Sequence, residues 1–536
     1  MTTFVSPLSA KRLHSRGAKQ VGPTSRNLAE RSPTCLARPL AAIRGFLVRH
    51  PDRAALLTIL AVGLAVRLAF TFRTPIFLVH DSATYFESGY DLARGYGFGL
   101  AFKRTPLYPF FIAAVVDVVG EDMQGLAFVQ HLLGLVTCSL TYLLGHALFG
   151  RPAGFIAGLL VALAGQLIIY EHYVLAEALF IPILLGFGLA FVAALKRPDR
   201  PFRWLVLAGV LLGLAGLTRP VGQAVLVAIP PTLLVAARSW RRAAVLSVVV
   251  ALGFAAVVVP WMLRNYLQNG SFESAGALGQ TLVGRITRHD EGFVIPSPDS
   301  PSPLTDPLKT EARALVLRQM ARDARPSAIN HRLRETYGWS EAEANRLMRD
   351  VCVDILLSQK DRYVVGTVVK WRKLLWGETE DFLGYHWATR KSGELRDDWV
   401  SNATIAHVLT PPTSQQEAEK GTAAAIAGFF SPAQPTVRWI LVGLLAAGAA
   451  ALYRSGQRPA LVLILLLVLA LTIPAAALVG YVPRYRYPAD PFMAVVAGGG
   501  ALYLVELARS VRPTLSRRLV PSPPVRAGDR TPAPSP

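Results

Sequence analysis

Apolar residues in this chain gather into unbroken blocks separated by short polar connectors. The blocks fall at 54–72, 105–120, 126–149, 152–170, 174–195, 203–218, 222–237, 243–264, 437–453, 458–480 and 489–508. A helix needs about 20 mainly apolar residues to cross the hydrocarbon core of a bilayer, more than a half-buried helix of a soluble domain shows on one face. The pattern predicts an all-α polytopic membrane protein.

Charge then decides how the blocks are used. The connectors holding Arg151, then Lys196, Arg197, Arg200 and Arg203, then Arg238, Arg241 and Arg242, then Arg454 and Arg458 are basic, as are both ends of the chain. Basic connectors stay in the cytoplasm. If all eleven blocks crossed, most of these connectors would face outward, so one block must not cross. The block 105–120 is the choice, because it starts with Pro106 and Pro109, carries Asp117 and ends at Glu121-Asp122. It predicts a helix dipping into the outer leaflet. Ten spans remain, with both ends inside and residues 73–125, 171–173, 219–221, 265–436 and 481–488 outside.

This gives a division into a basic, disordered cytoplasmic tail (1–53), an N-terminal transmembrane module (54–264) with its first outer loop at 73–125, and a large, mainly helical outer segment (265–436). The last spans follow at 437–508, and then a Pro/Arg-rich cytoplasmic tail (509–536). In the outer segment, Ser340 and Glu343 form the pattern of a capping box for a helix through Leu357. The run 361–376 mixes Arg, Lys and Trp with apolar residues, as an interfacial helix does. Composition adds little against this picture. The mean hydropathy is +0.37, and the net charge of +21 over 536 residues sits mostly in tails and connectors, which favours topology over nucleic acid. Three cysteines, Cys35, Cys138 and Cys352, offer no disulfide framework and no zinc-thiolate set.

The polar residues of interest collect on the outer side. Asp81 lies a few residues past the first span. A carboxylate in a partly dehydrated cleft can take the proton of an attacking hydroxyl; an Asp followed by Ser82-Ala83-Thr84-Tyr85 can equally be a helix cap. Glu171, His172 and Glu177 flank the turn between the third and fourth spans. An acid within the first turns of a span, as Glu177 is, faces either a functional cavity or a structural arginine such as Arg67. Arg104, Arg219, Arg264, Arg484 and Arg486 form an outer surplus of arginine that runs against the positive-inside bias, and arginine's planar fork suits phosphate oxygens. Singly, each is an interfacial anchor as readily as a ligand. His289-Asp290-Glu291 is a solvated loop before it is a cation site. No HExxH, Walker loop or GxSxG is present, so the sequence points to no particular cofactor, and a divalent metal is allowed but not indicated.

Six pieces in order resemble one family: Asp81 with Tyr85, the PLYP at 106–109, the LAE ending in Glu177, the GLAGLTRP at 213–220, the PWMLRNY at 260–266 and the RYRYP at 484–488. They are similar to the integral-membrane GT-C glycosyltransferases, in the branch with protein O-mannosyltransferases and aminoarabinose transferases of lipid A. The likeness covers about 54–270 and 481–505. It implies Asp81 as catalytic base and donor phosphate held by Arg484 and Arg486; the outer cations Arg264 and Arg219 join them on the reading of the residues, and Glu177 would orient acceptor or donor. Tyr85, Arg104, Glu171, His172 and Tyr487 would support them. It implies a sugar carried on a polyprenyl phosphate, a lipid, glycan or protein acceptor, membrane lipids as surroundings and no nucleic acid. The setting would be a bacterial inner membrane with the site on its outer face. Two features depart from the pattern: His80 stands where many members have a second acid, and Arg104-Thr105 precedes PLYP. A transporter or flippase of lipid-linked glycans, and an envelope glycan polymerase or ligase using a diphosphate-linked donor, are the competing readings. A carrier would show internal repeats and midplane polar residues, and neither is seen.

Overall fold

The computed structural model describes residues 49–78, 80–98, 103–287, 292–301, 304–376, 414–428 and 435–518. The chain divides into residues 1–54 and 55–536. Most of the basic N-terminal tail with Cys35, the triplet His289-Asp290-Glu291 and the end of the C-terminal tail lie outside the described residues.

Helix α1 (Pro51–Thr71) is followed by helices α2 (His80–Ala93) and α3 (Leu107–Val119). Next come α4 (Met123–Phe149), α5 (Arg151–Ala162), α6 (Gly165–Glu171), α7 (Glu177–Leu195), α8 (Phe202–Thr218), a 3₁₀ stretch Pro220–Ala228 continuing into α9 (Ile229–Ala237), and α10 (Trp240–Asn269). Then follow α11 (Leu278–Thr287), α12 (Pro307–Ala321), α13 (Pro326–Tyr337), α14 (Glu341–Ser358), α15 (Lys360–Trp376) and α16 (Ser414–Gly428). The chain closes with α17 (Pro435–Arg454), α18 (Arg458–Leu478), two short 3₁₀ turns at Pro483–Tyr485 and Tyr487–Ala489, and α19 (Asp490–Arg518). The last helix therefore runs beyond 508 into what the sequence assigns to a tail.

Among the described residues, eight helical stretches are long and apolar enough to cross a membrane, and nine if the bent pair α5–α6 is one span. The block 152–170 is thus not one straight helix: its two halves meet at an angle of 56°. Helix α8 has 17 residues, a rise of about 25 Å at 1.5 Å per residue, at the short end of what spans. Counting both gives the ten of the sequence reading. Helix α3, with 13 residues, is too short to cross.

Helix α7 is the centre of the bundle, with 67% of its apolar window buried, against 22% for α10 and 17% for α17 at the periphery. Close packing of α8 on α10 depends on two glycines facing each other. A Cβ on Gly253 would lie 2.8 Å from the Val206 carbonyl oxygen, and one on Gly209 would overlap that of Val250.

Two smaller cores sit on this bundle. The first joins α2 and α3 to the start of α4 and to Val174 and Ala176 through Phe86, Tyr90, Tyr108, Ile112 and Leu126. The second is built by α11–α14 around Leu282, Val316, Leu333, Met348 and Cys352. Its helices start where local chemistry directs. Asp306 accepts hydrogen bonds from the Leu308 and Lys309 amides, with Pro307 at the first helical position. Ser340 and Glu343 form the capping box read from the sequence. Helix α15 buries Gly366, Lys370 and Leu374, and Trp371 Nε1 donates to Thr472 Oγ1 of α18 at 3.0 Å. Its valines at 364, 365, 368 and 369 stay exposed, as an interfacial helix requires.

Candidate active site

Three segments converge at one end of the bundle. Helix α2 starts at His80 and so carries Asp81 in its first turn. The loop before α3 carries Arg104, and Thr105 Oγ1 donates to the Thr218 carbonyl at 2.8 Å, pinning that loop beside Arg219. The 3₁₀ turn Pro483–Tyr485 carries Arg484.

Asp81 receives an arginine on each oxygen. Arg104 Nη2 donates to Oδ1 at 2.5 Å and Arg484 Nη2 donates to Oδ2. The side chain is therefore spent on two guanidiniums rather than on capping its own helix. Arg104 is steered by Thr84, whose hydroxyl oxygen accepts from Nε at 2.9 Å, and by the Tyr85 ring, 4.7 Å below its guanidinium. Burial by itself would push the Asp81 carboxyl up, but Arg104 and Arg484 outweigh it and hold it well below the usual carboxylate range. Lys103 is lowered by burial and by Arg104.

Glu177, at the start of α7 and 1% exposed, forms an ion pair with Arg219, and Arg484 Nε lies 4.0 Å from its Oε1. One guanidinium thus stands between the two carboxylates. Tyr485 fills the remaining side, with Arg219 at 5.0 Å and Arg484 at 5.4 Å from its ring centre.

Glu171 and His172 belong to a separate, fully enclosed network. Arg67 of α1 grips Glu171 with Nε–Oε2 at 2.7 Å and Nη2–Oε1 at 2.6 Å. His131 Nδ1 lies 2.9 Å from Glu171 Oε2 and its Nε2 lies 3.0 Å from His172 Nδ1, while His172 Nε2 meets Thr74 Oγ1 at 3.1 Å. The Arg67 partner is thus Glu171, and Glu177 turns to Arg219 instead. Gly134 makes room for this, because a Cβ there would overlap the Glu171 carboxylate. Gln130 ties the network to the site: its Nε2 donates to the Glu171 and Tyr173 carbonyls at 3.0 and 2.8 Å, and its Oε1 accepts from Tyr108, whose ring meets Tyr85 edge-on at 5.1 Å.

The other named residues lie apart from the cluster. Arg486 is 3% exposed and bound by Asp490, Nε–Oδ1 at 3.0 Å and Nη2–Oδ2 at 3.2 Å. Tyr487 is buried and donates to Gln166 Oε1 at 3.1 Å. Arg264 lies over Trp261 at 4.7 Å and Phe98 at 5.5 Å, and donates to Asn265 Oδ1 at 2.9 Å. Conversely, Tyr485, Thr84, Gln130 and His131 were not singled out by the sequence. Gln130 and His131 carried a signal, being adjacent polar residues inside an apolar block. Among the described residues no group of three or more His, Cys, Asp or Glu side chains is arranged to hold a metal ion.

Residues 103–263 match the family described as dolichyl-phosphate-mannose-protein mannosyltransferase. A search of curated proteins found no matching sequence. Among solved structures, the chain is similar to the archaeal oligosaccharyltransferase AglB from Archaeoglobus fulgidus, in complex with an inhibitory peptide and a dolichol-phosphate, with 12% identity and a TM-score of 0.46 over 89% of this chain and 53% of that one. It therefore spans about half the length of that protein. ArnT from Cupriavidus metallidurans, bound to undecaprenyl phosphate, is similar with 16% identity and a TM-score of 0.36, over 87% of this chain and 81% of that one. The family match takes in Arg104, Glu177, Arg219 and the helices between them.

Proposed function

We propose that the protein moves a sugar from a polyprenyl-phosphate donor to a hydroxyl of a lipid, glycan or protein acceptor, with inversion, on the outer face of the membrane. The observation that carries this reading is the gathering of Asp81, Glu177, Arg104, Arg219 and Arg484 at one end of the bundle. The donor class is supported by the family match, whose description names a dolichyl-phosphate sugar.

The chemistry follows from the charges. Asp81 takes the acceptor's proton as its oxygen attacks the anomeric carbon, and the bond from that carbon to the phosphate oxygen breaks with both electrons going to the phosphate. A single displacement inverts the centre. The leaving phosphate has a second pKa of about 6 and needs no proton from an acid; it needs cations. Three arginines against two carboxylates leave one net positive charge, which the single negative charge of the bound phosphodiester balances. Arg484 and Arg219 receive the phosphate, with Arg104 beside them, and Glu177 orients donor or acceptor.

A doubly clamped Asp81 is a weak base. A phosphate competing for Arg104 and Arg484 loosens the clamp and restores basicity, so the donor itself prepares the base. The test is to reconstitute the purified protein in vesicles with a panel of polyprenyl-phosphate sugars and follow release of polyprenyl phosphate. Release that needs Asp81 is expected. Movement of intact lipid-linked sugar across the bilayer without release would replace this reading with a carrier.

A further inference from the structure

Glu177 is the most enclosed acid of the cluster; its Oε1 is covered by Arg219, yet its Oε2 receives no hydrogen bond, and the nearby Arg484 Nε, also buried, has no acceptor. Arg484 supplies charge to Glu177 from 4.0 Å without donating to it. Buried polar atoms are almost always satisfied, and an ionised carboxylate offers about four acceptor positions, so these atoms mark the place of a missing partner.

The partner's chemistry can be read from its surroundings. It must donate hydrogen bonds to Glu177. It should not add positive charge, because Arg104, Arg219 and Arg484 already exceed Asp81 and Glu177 by one. Hydroxyl groups meet both conditions and an ammonium does not. Position narrows the choice further: Arg484 faces both carboxylates, so a phosphate held by that guanidinium sets the sugar it carries next to Glu177.

We propose that Glu177 reads the transferred sugar, accepting hydrogen bonds from its ring hydroxyls, and so selects an uncharged, hydroxyl-bearing sugar over a deoxy or amino sugar. This rests on the donor assignment above and adds to it the residue that sets sugar specificity.

The experiment measures binding of two ligands, bare undecaprenyl phosphate and an undecaprenyl-phosphate hexose, to the full chain as wild type, Glu177→Gln and Glu177→Ala, with thermal melting as the fold control. The bare lipid phosphate should bind all three no more weakly than wild type. The hexose-bearing lipid should bind Glu177→Ala about tenfold to a hundredfold more weakly than wild type, the range for a hydrogen bond to a charged group. Glu177→Gln, which keeps shape and one acceptor, should fall between. Deoxygenating the sugar should cost the wild type affinity and leave Glu177→Ala unaffected. Equal losses for both ligands, or an equal deoxygenation penalty in wild type and Glu177→Ala, would overturn the inference while leaving the donor assignment standing. An amino-sugar donor that binds better than its hydroxyl counterpart would overturn it too. Failure of the wild type to bind either lipid would remove the donor assignment and this inference together.

Discussion

Replacing Asp81 by Asn keeps the shape of the side chain and removes one charge, and the structure says what each consequence should be. The Asn oxygen can still accept from one guanidinium, but its amide group now faces the other. The loss is then about one charge-assisted hydrogen bond, ordinarily about 1.5–3 kcal/mol. It will fall toward the lower end, because the Asp81 side chain is 27% exposed and its arginines 17% and 15%. The transfer rate should fall far more, by about 10²–10⁴-fold, since an amide cannot take the acceptor's proton. Donor affinity should be undiminished, because the carboxylate no longer competes with phosphate for Arg104 and Arg484. Acidity adds a further check. The folded carboxyl is held below its ordinary value, so its contribution to stability is complete above about pH 4 and is lost as pH falls through the folded value. The gap in stability between wild type and Asp81→Asn should therefore close on acidification. The acid limb of kcat, reporting the donor complex, should lie at higher pH than that of kcat/KM for the donor, reporting the free enzyme. Single-turnover transfer, donor binding and thermal melting on the same preparations provide the measurements. If Asp81→Asn transfers sugar at close to the wild-type rate and only melts earlier, Asp81 is a structural ion-pair residue and the base is elsewhere.

Three further outcomes are expected. Arg484→Ala should weaken donor binding by about tenfold to a hundredfold, the range for a lost charge-assisted contact. Arg486→Ala should instead lower stability, because it strands the partly buried Asp490, 22% exposed, at a cost below the about 3–5 kcal/mol of breaking a fully buried pair; equal donor affinities in the two variants would dissolve the distinction. Reporter fusions should place both ends and residues near 200, 240 and 456 in the cytoplasm and residues near 330 and 485 outside, and a cytoplasmic signal at 330 would reverse the assigned face.

What the sequence could and could not disclose follows from how far each signal reaches. Apolar blocks and the Ser340–Glu343 capping box are local, and both reappear as helices with their starts in place. The bend between α5 and α6 was hidden, because Leu163-Ala164-Gly165 is as apolar as its flanks and hydropathy carries no direction. Arg484 and Arg486 look equivalent in RYRYP. In 3₁₀ backbone, with three residues per turn, positions two apart point about 120° away from each other, so one reaches Asp81 and the other Asp490. The same holds for Glu171 and Glu177. Glu177 was legible as an acid needing a partner, with Arg67 as the candidate, but the partners Arg219 of Glu177 and Arg67 of Glu171 are fixed by which helices lie side by side, and that is a property of the assembled bundle.

The Arg67–Glu171 pair also bears on how the protein is made. The two residues are separated by 104 positions in the chain. At a synthesis rate of about 5–20 residues per second, Arg67 enters the membrane roughly 5–20 s before its counter-charge has been translated. A lone arginine at the centre of a span disfavours insertion by about 2.5–3.5 kcal/mol, and less toward the interface; Arg67 lies four residues from the end of α1. During that interval α1 is held less firmly than it is once α6 supplies Glu171. Biogenesis of this bundle is thus ordered by a charge awaiting its partner, and slowing translation between residues 72 and 171 prolongs the stage at which the first helix is least committed to the bilayer.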